Sequence, residues 1–107
     1  MKHLLYVIFV LLVCSLNAQE IKLLHINSKW NQSNNFDLKG IKNCTVQYAL
    51  LEDQVPSVKS KIKSVPTIIL LDKNGKPRGQ WIAGLSFKII ASKEEIQDRI
   101  NVIYKEK

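Results

Sequence analysis

Short apolar blocks, separated by polar, glycine and proline residues, predict most of the elements of this chain. The block that organises the rest is Thr67–Leu71, which follows Val65-Pro66 and ends at Asp72-Lys73-Asn74-Gly75. An unbroken β-branched and aliphatic run between such signals predicts a strand buried on both faces and closed by a hairpin turn. Because proline lacks the amide hydrogen that a β-ladder needs, Pro66 fits the start of this strand. We expect the strand to lie in the centre of the sheet.

Three other stretches also predict strands: Ile21–Ile26, Thr45–Leu51 and Lys76–Ile82. The last follows the strong hairpin signal Asn74-Gly75, and Pro77 near its start suits an edge strand. The order of these strands relative to the helices predicts an α/β fold, with a central mixed sheet and helices on both sides.

Capping residues and helical spacing predict three helices. Two are short, one before Gly40 and one over Ser57–Lys61. The clearest begins after Ser92, where Ser92 and Glu95 form a capping box. Its apolar stripe recurs at helical spacing and should pack on the sheet: Ile96, Ile100 and Ile103.

The first 18 residues have the layout of a secretory signal peptide. A short positive start precedes an apolar run from Leu4 to Leu16, and Ala18 is small enough to precede the cleavage site. We expect cleavage after Ala18 and export to the periplasm or the cell exterior. Residues 19–107 then form one small domain with a single core, without a membrane span.

Two alternatives remain open for this segment. It could stay uncleaved as an anchor, although the run is shorter than the roughly 20 residues needed to cross a bilayer. It could also be lipidated at Cys14, although Leu12 and Val13 are bulkier than the residues that precede a lipoprotein cysteine.

The charge balance adds little about function. The chain has 16 basic and 9 acidic side chains, and Lys2 is the one charged residue of the first 18. Such an excess favours anionic partners or surfaces, and a solvated basic face explains it as well. We do not expect nucleic acid binding, because basic residues are not interleaved with aromatic stacking platforms. Nothing in the sequence predicts a cofactor or a metal site.

Val65-Pro66-Thr67 before a buried strand resembles the cis-proline loop of thioredoxin-like proteins. Trp30 after the first strand and Gly84 after the fourth match further positions of that family. The resemblance implies a thioredoxin-like fold with a cis Val65–Pro66 peptide bond. It also implies a groove that pairs with an extended peptide, lined by Trp30, Val65, Pro66 and Gly84.

The residues that perform thioredoxin chemistry are absent. In that family the tryptophan is followed by Cys-x-x-Cys, and here Asn31 and Asn34 occupy both cysteine positions. Asparagine supplies neither a thiolate nor electrons to cycle. The resemblance therefore implies a redox-inactive module that binds a protein or peptide. Asn31 and Asn34 would act as turn and capping residues, or would form a polar pocket for a partner's backbone.

His25 and the segment after Trp30 also depart from the family pattern. His25 stands where thioredoxins keep a buried carboxylate, and we interpret it as a hydrogen-bonded core residue. The stretch Asn34–Gly40 leaves room for only a turn or two of helix, where the family has a long one.

Two further hypotheses for function remain. Cleavage after Ala18 would leave Cys44 as the one cysteine of the mature chain, without an internal disulfide partner. It is interpreted as a half-buried structural residue, or as a single reactive thiol of an enzyme. Alternatively, the domain acts through its basic face or through Phe87–Ala91. The apolar stretch Leu85–Ala91 is expected to extend the core, or else to form a patch for a partner.

Overall fold

A computed structural model describes residues 20–106 of the chain. The predicted signal peptide, its cleavage site and Cys14 lie outside the described residues. Within residues 20–106, no helix is both long enough and apolar enough to cross a bilayer.

Four strands and two α-helices make up the described part. The strands are β1 (Lys22–Asn27), β2 (Thr45–Leu50), β3 (Thr67–Leu71) and β4 (Pro77–Ile82). The helices are α1 (Pro56–Lys59) and α2 (Lys93–Tyr104), and 3₁₀ turns cover Lys29–Asn34 and Leu51–Asp53. The predicted strands are therefore present to within one residue at each end.

The sheet has the order β2-β1-β3-β4. Strand β1 is parallel to β2 and antiparallel to β3, and β3 is antiparallel to β4. The mixed sheet and the interior position of β3 are thus as expected. All five residues of β3 are buried, which agrees with a strand covered on both faces.

Helix α2 covers one face of the sheet, and the segment that follows α1 contacts the other. The apolar stripe of α2 packs on one face, against Leu23, Ile68 and Leu70. The opposite face carries Leu24, Ile26, Ile69 and Leu71, and Ile62, which follows α1, packs against it. The domain therefore has a core on each side of β1 and β3.

The cap of α2 differs from the predicted capping box in one half. The Ser92 hydroxyl accepts a hydrogen bond from the Glu95 backbone N–H at 3.1 Å, as expected. The Glu95 carboxylate instead accepts a hydrogen bond from the Trp81 indole N–H at 3.2 Å. Glu95 therefore ties the helix to β4.

The hairpin between β3 and β4 is present, but its turn is wider than an Asn-Gly two-residue loop. The Asp72 carboxylate accepts the backbone N–H groups of Asn74 and Lys76, each at 2.9 Å. Gly75 has φ 80°, whereas Asn74 is not among the residues with positive φ. The aspartate organises the turn, because its side chain satisfies two amides that would otherwise need strand pairing.

The short helix predicted over Asn34–Gly40 is not formed there, and the helical turns come earlier, at Lys29–Asn34. The chain becomes extended at Asn35, and the Phe36 N–H donates to the His25 ring at 2.9 Å. Burial of Leu38 in the core then holds this segment on the sheet. These contacts replace the continuation of a helix.

The expectation that Leu85–Ala91 extends the core is wrong for most of the segment. Leu85 is 98% exposed and Ile90 is 88% exposed, and Ile89 packs against the core. The Phe87 N–H donates to the Gly84 carbonyl at 3.0 Å, and Phe87 has φ 59°. This turn directs Leu85 into solvent, so the segment presents apolar side chains at the surface.

Candidate functional site

The residues singled out near Trp30 and Pro66 come together at one end of the sheet. Strand β1 ends where antiparallel β3 begins, with Ile26 opposite Thr67. Thr67 in turn lies opposite Ile82, at the end of β4. The segments that follow β1, precede β3 and follow β4 therefore meet, and they carry Trp30, Val65, Pro66 and Gly84. The Val65–Pro66 peptide bond is cis.

A buried asparagine joins these three segments. The Asn31 side-chain amide donates to the Val65 carbonyl at 3.3 Å and to the Phe87 carbonyl at 3.1 Å. It also donates to the Asn27 side-chain oxygen at 3.0 Å, and Asn31 is only 3% exposed. Because a buried amide is costly to leave unsatisfied, this side chain fixes the turn at Phe87 against the loop before Pro66.

Other asparagines complete a network around Asn31. Asn34 donates to the Asn31 side-chain oxygen at 2.7 Å. Asn27 donates to the Asn31 carbonyl at 2.9 Å and to the Asn35 side chain at 2.6 Å. No side-chain hydrogen bond caps the 3₁₀ turn at its N-cap, Ser28. Asn31 and Asn34 thus bind within their own chain, and the capping interpretation does not describe Asn31.

An aromatic pair lies over the network. The rings of Trp30 and Phe87 meet edge to face, with centroids 5.1 Å apart and an interplanar angle of 85°. Trp30 is 65% exposed, which leaves most of its indole open to a ligand. Edge-to-face packing orients such rings without burying them, so the pair forms a semi-rigid apolar surface.

The backbone beside this pair has open positions. The Pro66 carbonyl accepts the Ala83 N–H at 3.1 Å and is therefore satisfied by the extension of β4. The Val65 N–H, by contrast, donates none of the backbone–backbone hydrogen bonds found in the loops and turns of residues 20–106. A Cβ atom added at Gly84 would meet no atom within 4 Å. We call the surface between Trp30 and Gly84 the cleft; Val65, next to it, is 5% exposed.

His25 is buried within β1, opposite Ile68 of β3. Its Nε2 atom accepts the Phe36 N–H, and its ring lies 4.7 Å from the Tyr48 ring. Burial lowers the pKa of His25 below its ordinary value, since the charged imidazolium would lose its water. The ring is therefore a neutral acceptor, in agreement with its interpretation as a hydrogen-bonded core residue.

Cys44 lies at the opposite end of the sheet. It precedes β2, which runs parallel to β1, so the length of a six-residue strand, roughly 20 Å, separates it from Trp30. Cys44 is half-buried, as interpreted from the sequence, and burial raises the pKa of its thiol to about 11. The structure therefore does not bring Cys44 to the cleft, and its surroundings do not favour the thiolate.

Within residues 20–106, no three His, Cys, Asp or Glu side chains are grouped closely enough to hold a metal ion. Sequence reasoning missed three members of the site: Asn27, Asn35 and Phe87. The density of asparagines between residues 27 and 35 was a usable signal for the network. Phe87 stood out only as part of the apolar stretch Phe87–Ala91, and no local pattern indicated its contact with Asn31, which joins residues 56 apart in sequence.

The chain was compared with known proteins. No family model matches it, and no curated protein is significantly similar to it. Among solved structures, it is similar to a mutant thioredoxin from Halobacterium salinarum, with a TM-score of 0.60 and 12% sequence identity. That similarity covers 85% of this chain and 80% of the thioredoxin. The chain therefore has a thioredoxin-like fold.

Proposed function

We propose that this thioredoxin-like chain is an exported, redox-inactive module that binds an extended segment of a protein or peptide. The binding site is the cleft formed by Trp30, Val65, Pro66 and Gly84. The observation that supports it most is the indole of Trp30, 65% exposed at the end of the sheet where the Val65 N–H has no backbone partner.

The composition of the site supports the redox-inactive part of the proposal. Asn31 and Asn34 stand where a dithiol would act, and their amides hydrogen-bond to each other. An amide cannot form a mixed disulfide, and Cys44 lies too far from the cleft to replace the missing thiols. The buried amide network occupies the position of the dithiol but has no group that can undergo thiol–disulfide exchange.

An extended ligand matches the polar groups of the cleft. Its backbone carbonyl would accept the Val65 N–H, in the way that a strand adds to an exposed edge. The Val65 carbonyl already accepts a hydrogen bond from the Asn31 side-chain amide, but its second lone pair can accept a backbone N–H of the ligand. A neighbouring apolar side chain of the ligand would pack on Trp30 and Phe87. Together these contacts specify a short extended segment with at least one apolar residue.

Export is proposed from the sequence of residues 1–18, which matches a secretory signal peptide. A binding partner would then be found in the periplasm or outside the cell.

The test begins with peptides selected from a random display library against the purified protein. The dissociation constant of the selected peptides is then measured for the wild type and for Trp30→Ala. Loss of a central aromatic anchor is expected to weaken binding at least about tenfold. Tyr104→Ala is the matched control, because Tyr104 is also aromatic and 53% exposed but lies at the other end of the sheet. It should leave binding unchanged.

A second variant tests the cleft without removing a contact. Gly84→Val places a side chain where the structure has open space, so it should block the peptide while the thermal midpoint stays close to that of the wild type. Titration of the peptide should also shift the Val65 amide resonance. The proposal fails if the selected peptides bind Trp30→Ala and Gly84→Val as tightly as the wild type.

One observation favours a second candidate, a surface role of Phe87–Ala91. Ile90 is 88% exposed, although a solvated loop gains nothing from an exposed isoleucine. Ile90→Ser separates the two candidates, because it changes the exposed patch and leaves Trp30 and Val65 intact. Binding of the selected peptides should survive this change if the cleft is the site.

A further inference from the structure

The two edges of the sheet differ in how they are protected against pairing with another strand. Edge strand β4 starts at Pro77, has a register shift against Leu70 and Leu71, and carries Arg78 paired with Glu106 at 2.7 Å. These are features that keep an edge from pairing. Edge strand β2 has the sequence Thr-Val-Gln-Tyr-Ala-Leu, without a charge, proline or glycine. Its pairing register with β1 is continuous over all six residues.

The register shows which backbone groups of β2 point outward. The Thr45 N–H donates to the Ile21 carbonyl of the segment leading into β1 at 2.8 Å. In a parallel pair, alternate residues face the neighbour, so Thr45, Gln47 and Ala49 face β1. The N–H and C=O groups of Val46 and Tyr48 face away from it. Within residues 20–106, no loop or strand pairs with those groups.

Gln47, in the middle of β2, supplies an independent observation. Its side-chain oxygen is buried and has no hydrogen-bond partner. A buried polar atom without a partner is rare in a folded protein and costs free energy unless something satisfies it. The edge strand thus combines open backbone groups with an unsatisfied side-chain acceptor.

We propose that β2 pairs antiparallel with β2 of a second copy of this chain, about a two-fold axis at Gln47. Val46 of each copy then lies opposite Tyr48 of the other, and each such pair exchanges two backbone hydrogen bonds. The two Gln47 side chains face each other across the axis, with Cβ atoms about 5 Å apart. Rotation of each Gln47 side chain toward the axis then lets its oxygen, which its own chain encloses, accept the amide N–H of the other copy. The two sheets become one continuous sheet of eight strands.

Charges beyond the ends of the strand favour this antiparallel pairing. Lys42 and Glu52 lie at equal sequence distances on the two sides of Gln47, and both are exposed. Antiparallel pairing therefore brings the flank of one copy that carries Lys42 beside the flank of the other that carries Glu52, whose carboxylate also accepts the Lys29 N–H of its own chain. A two-fold contact with opposite charges at its ends is self-complementary.

Sedimentation equilibrium of the purified protein over a wide concentration range is the test. The wild type should show a reversible monomer–dimer equilibrium. Gln47→Lys puts two like charges at the axis and should raise the dissociation constant about tenfold or more. The matched control is Gln80→Lys, the same change at an exposed position of the other edge strand, and it should leave the constant unchanged.

A charge swap keeps the test independent of any effect of Gln47→Lys on folding. Lys42→Glu should weaken the dimer, and the double variant Lys42→Glu with Glu52→Lys should restore it. Amide hydrogen exchange gives the direct readout, since protection of Val46 and Tyr48 should rise with protein concentration. A wild type that stays monomeric throughout would overturn the proposal. A dimer whose dissociation constant changes neither with Gln47→Lys nor with the charge swap would also overturn it. So would protection of these two amides that appears only when a selected peptide is added.

Discussion

At the scale of single residues, the neutral ring of His25 makes the stability of the domain depend on pH. Burial lowers the pKa of His25 in the folded state, whereas the unfolded chain has the ordinary value of about 6.5. Between the two values the unfolded state binds more protons, so protonation favours unfolding. The stabilising contribution is complete above about pH 6.5 and is lost as the pH falls through the folded-state pKa.

We therefore predict that the free energy of unfolding decreases as the pH is lowered below about 6.5, by at most about 1.4 kcal/mol per pH unit. Urea denaturation at a series of pH values measures this slope. His25→Gln keeps an oxygen that can accept the Phe36 N–H but cannot titrate. The free energy of unfolding of this variant should therefore not change as the pH is lowered below about 6.5. An equal slope in wild type and variant would show that another group is responsible.

The second prediction at this scale concerns Cys44. With a pKa of about 11, roughly 0.1% of the thiol is thiolate at pH 8, compared with about a quarter for an unperturbed cysteine. Alkylation by iodoacetamide should therefore be at least about a hundredfold slower in the folded protein than in urea. Rapid alkylation of the folded protein would instead support the hypothesis of a single-thiol enzyme. In that case Cys44→Ser would have to abolish thiol exchange by the protein.

At the scale of elements, Asn31 holds together the turn after β1, the loop before β3 and the turn after β4. Asn31→Asp removes the two amide donors and places a carboxylate beside the Val65 and Phe87 carbonyls. We predict a loss of about 2 to 3 kcal/mol in the free energy of unfolding, because buried acceptors lose their partner and a charge is buried.

The control for this prediction is Gln32→Glu, the same amide-to-acid change at the exposed neighbouring position. It should alter stability by no more than about 0.5 kcal/mol. Chemical denaturation measures both variants. If they were equally stable, the amide network would contribute nothing to joining the three segments.

The elements differ in how far the sequence could predict them. Strands β1 to β4 and helix α2 were predictable because their apolar periodicity reports burial directly, as in the stripe of Ile96, Ile100 and Ile103. The turn after β3 was predicted as a hairpin, but its geometry depends on the Asp72 side chain. Local patterns also failed for Leu85–Ala91, since an apolar composition predicts burial and the turn at Phe87 places Leu85 in solvent.

The candidate site was predictable only in part, for a related reason. Trp30, Val65, Pro66 and Gly84 stood out through their positions relative to strands, and the structure places them at one end of the sheet. The Asn31 network depends on contacts across 34 and 56 residues, which no local pattern encodes. The amide positions were visible in the sequence, but their partners were not.

At the scale of the whole molecule, the basic excess is distributed unevenly around the cleft. The three segments that form it, residues 28–36, 59–66 and 82–91, contain five lysines and no acidic residue. These lysines are Lys29, Lys59, Lys61, Lys63 and Lys88. All nine acidic residues lie elsewhere, and Glu52 reaches the edge of this surface through its bond to the Lys29 N–H. A positive field around a cleft favours ligands with negative flanks.

If the cleft binds an extended segment, we predict that the selected peptides carry Asp or Glu beside their apolar residue, and that their affinity falls as salt is raised. Exposed charges are screened over about 10 Å at 0.1 M ionic strength, so rim lysines contribute at low salt and little at high salt. Lys63→Glu should weaken binding about threefold to tenfold at low salt, which corresponds to a surface charge contact. Lys73→Glu, the same reversal in the turn at the far end of β3, should leave the affinity unchanged. Titrations at two salt concentrations measure both effects. Equal losses for the two variants would mean that the peptides respond to net charge rather than to the cleft, whereas a loss confined to Lys63→Glu would place the negative flank of the ligand next to Val65.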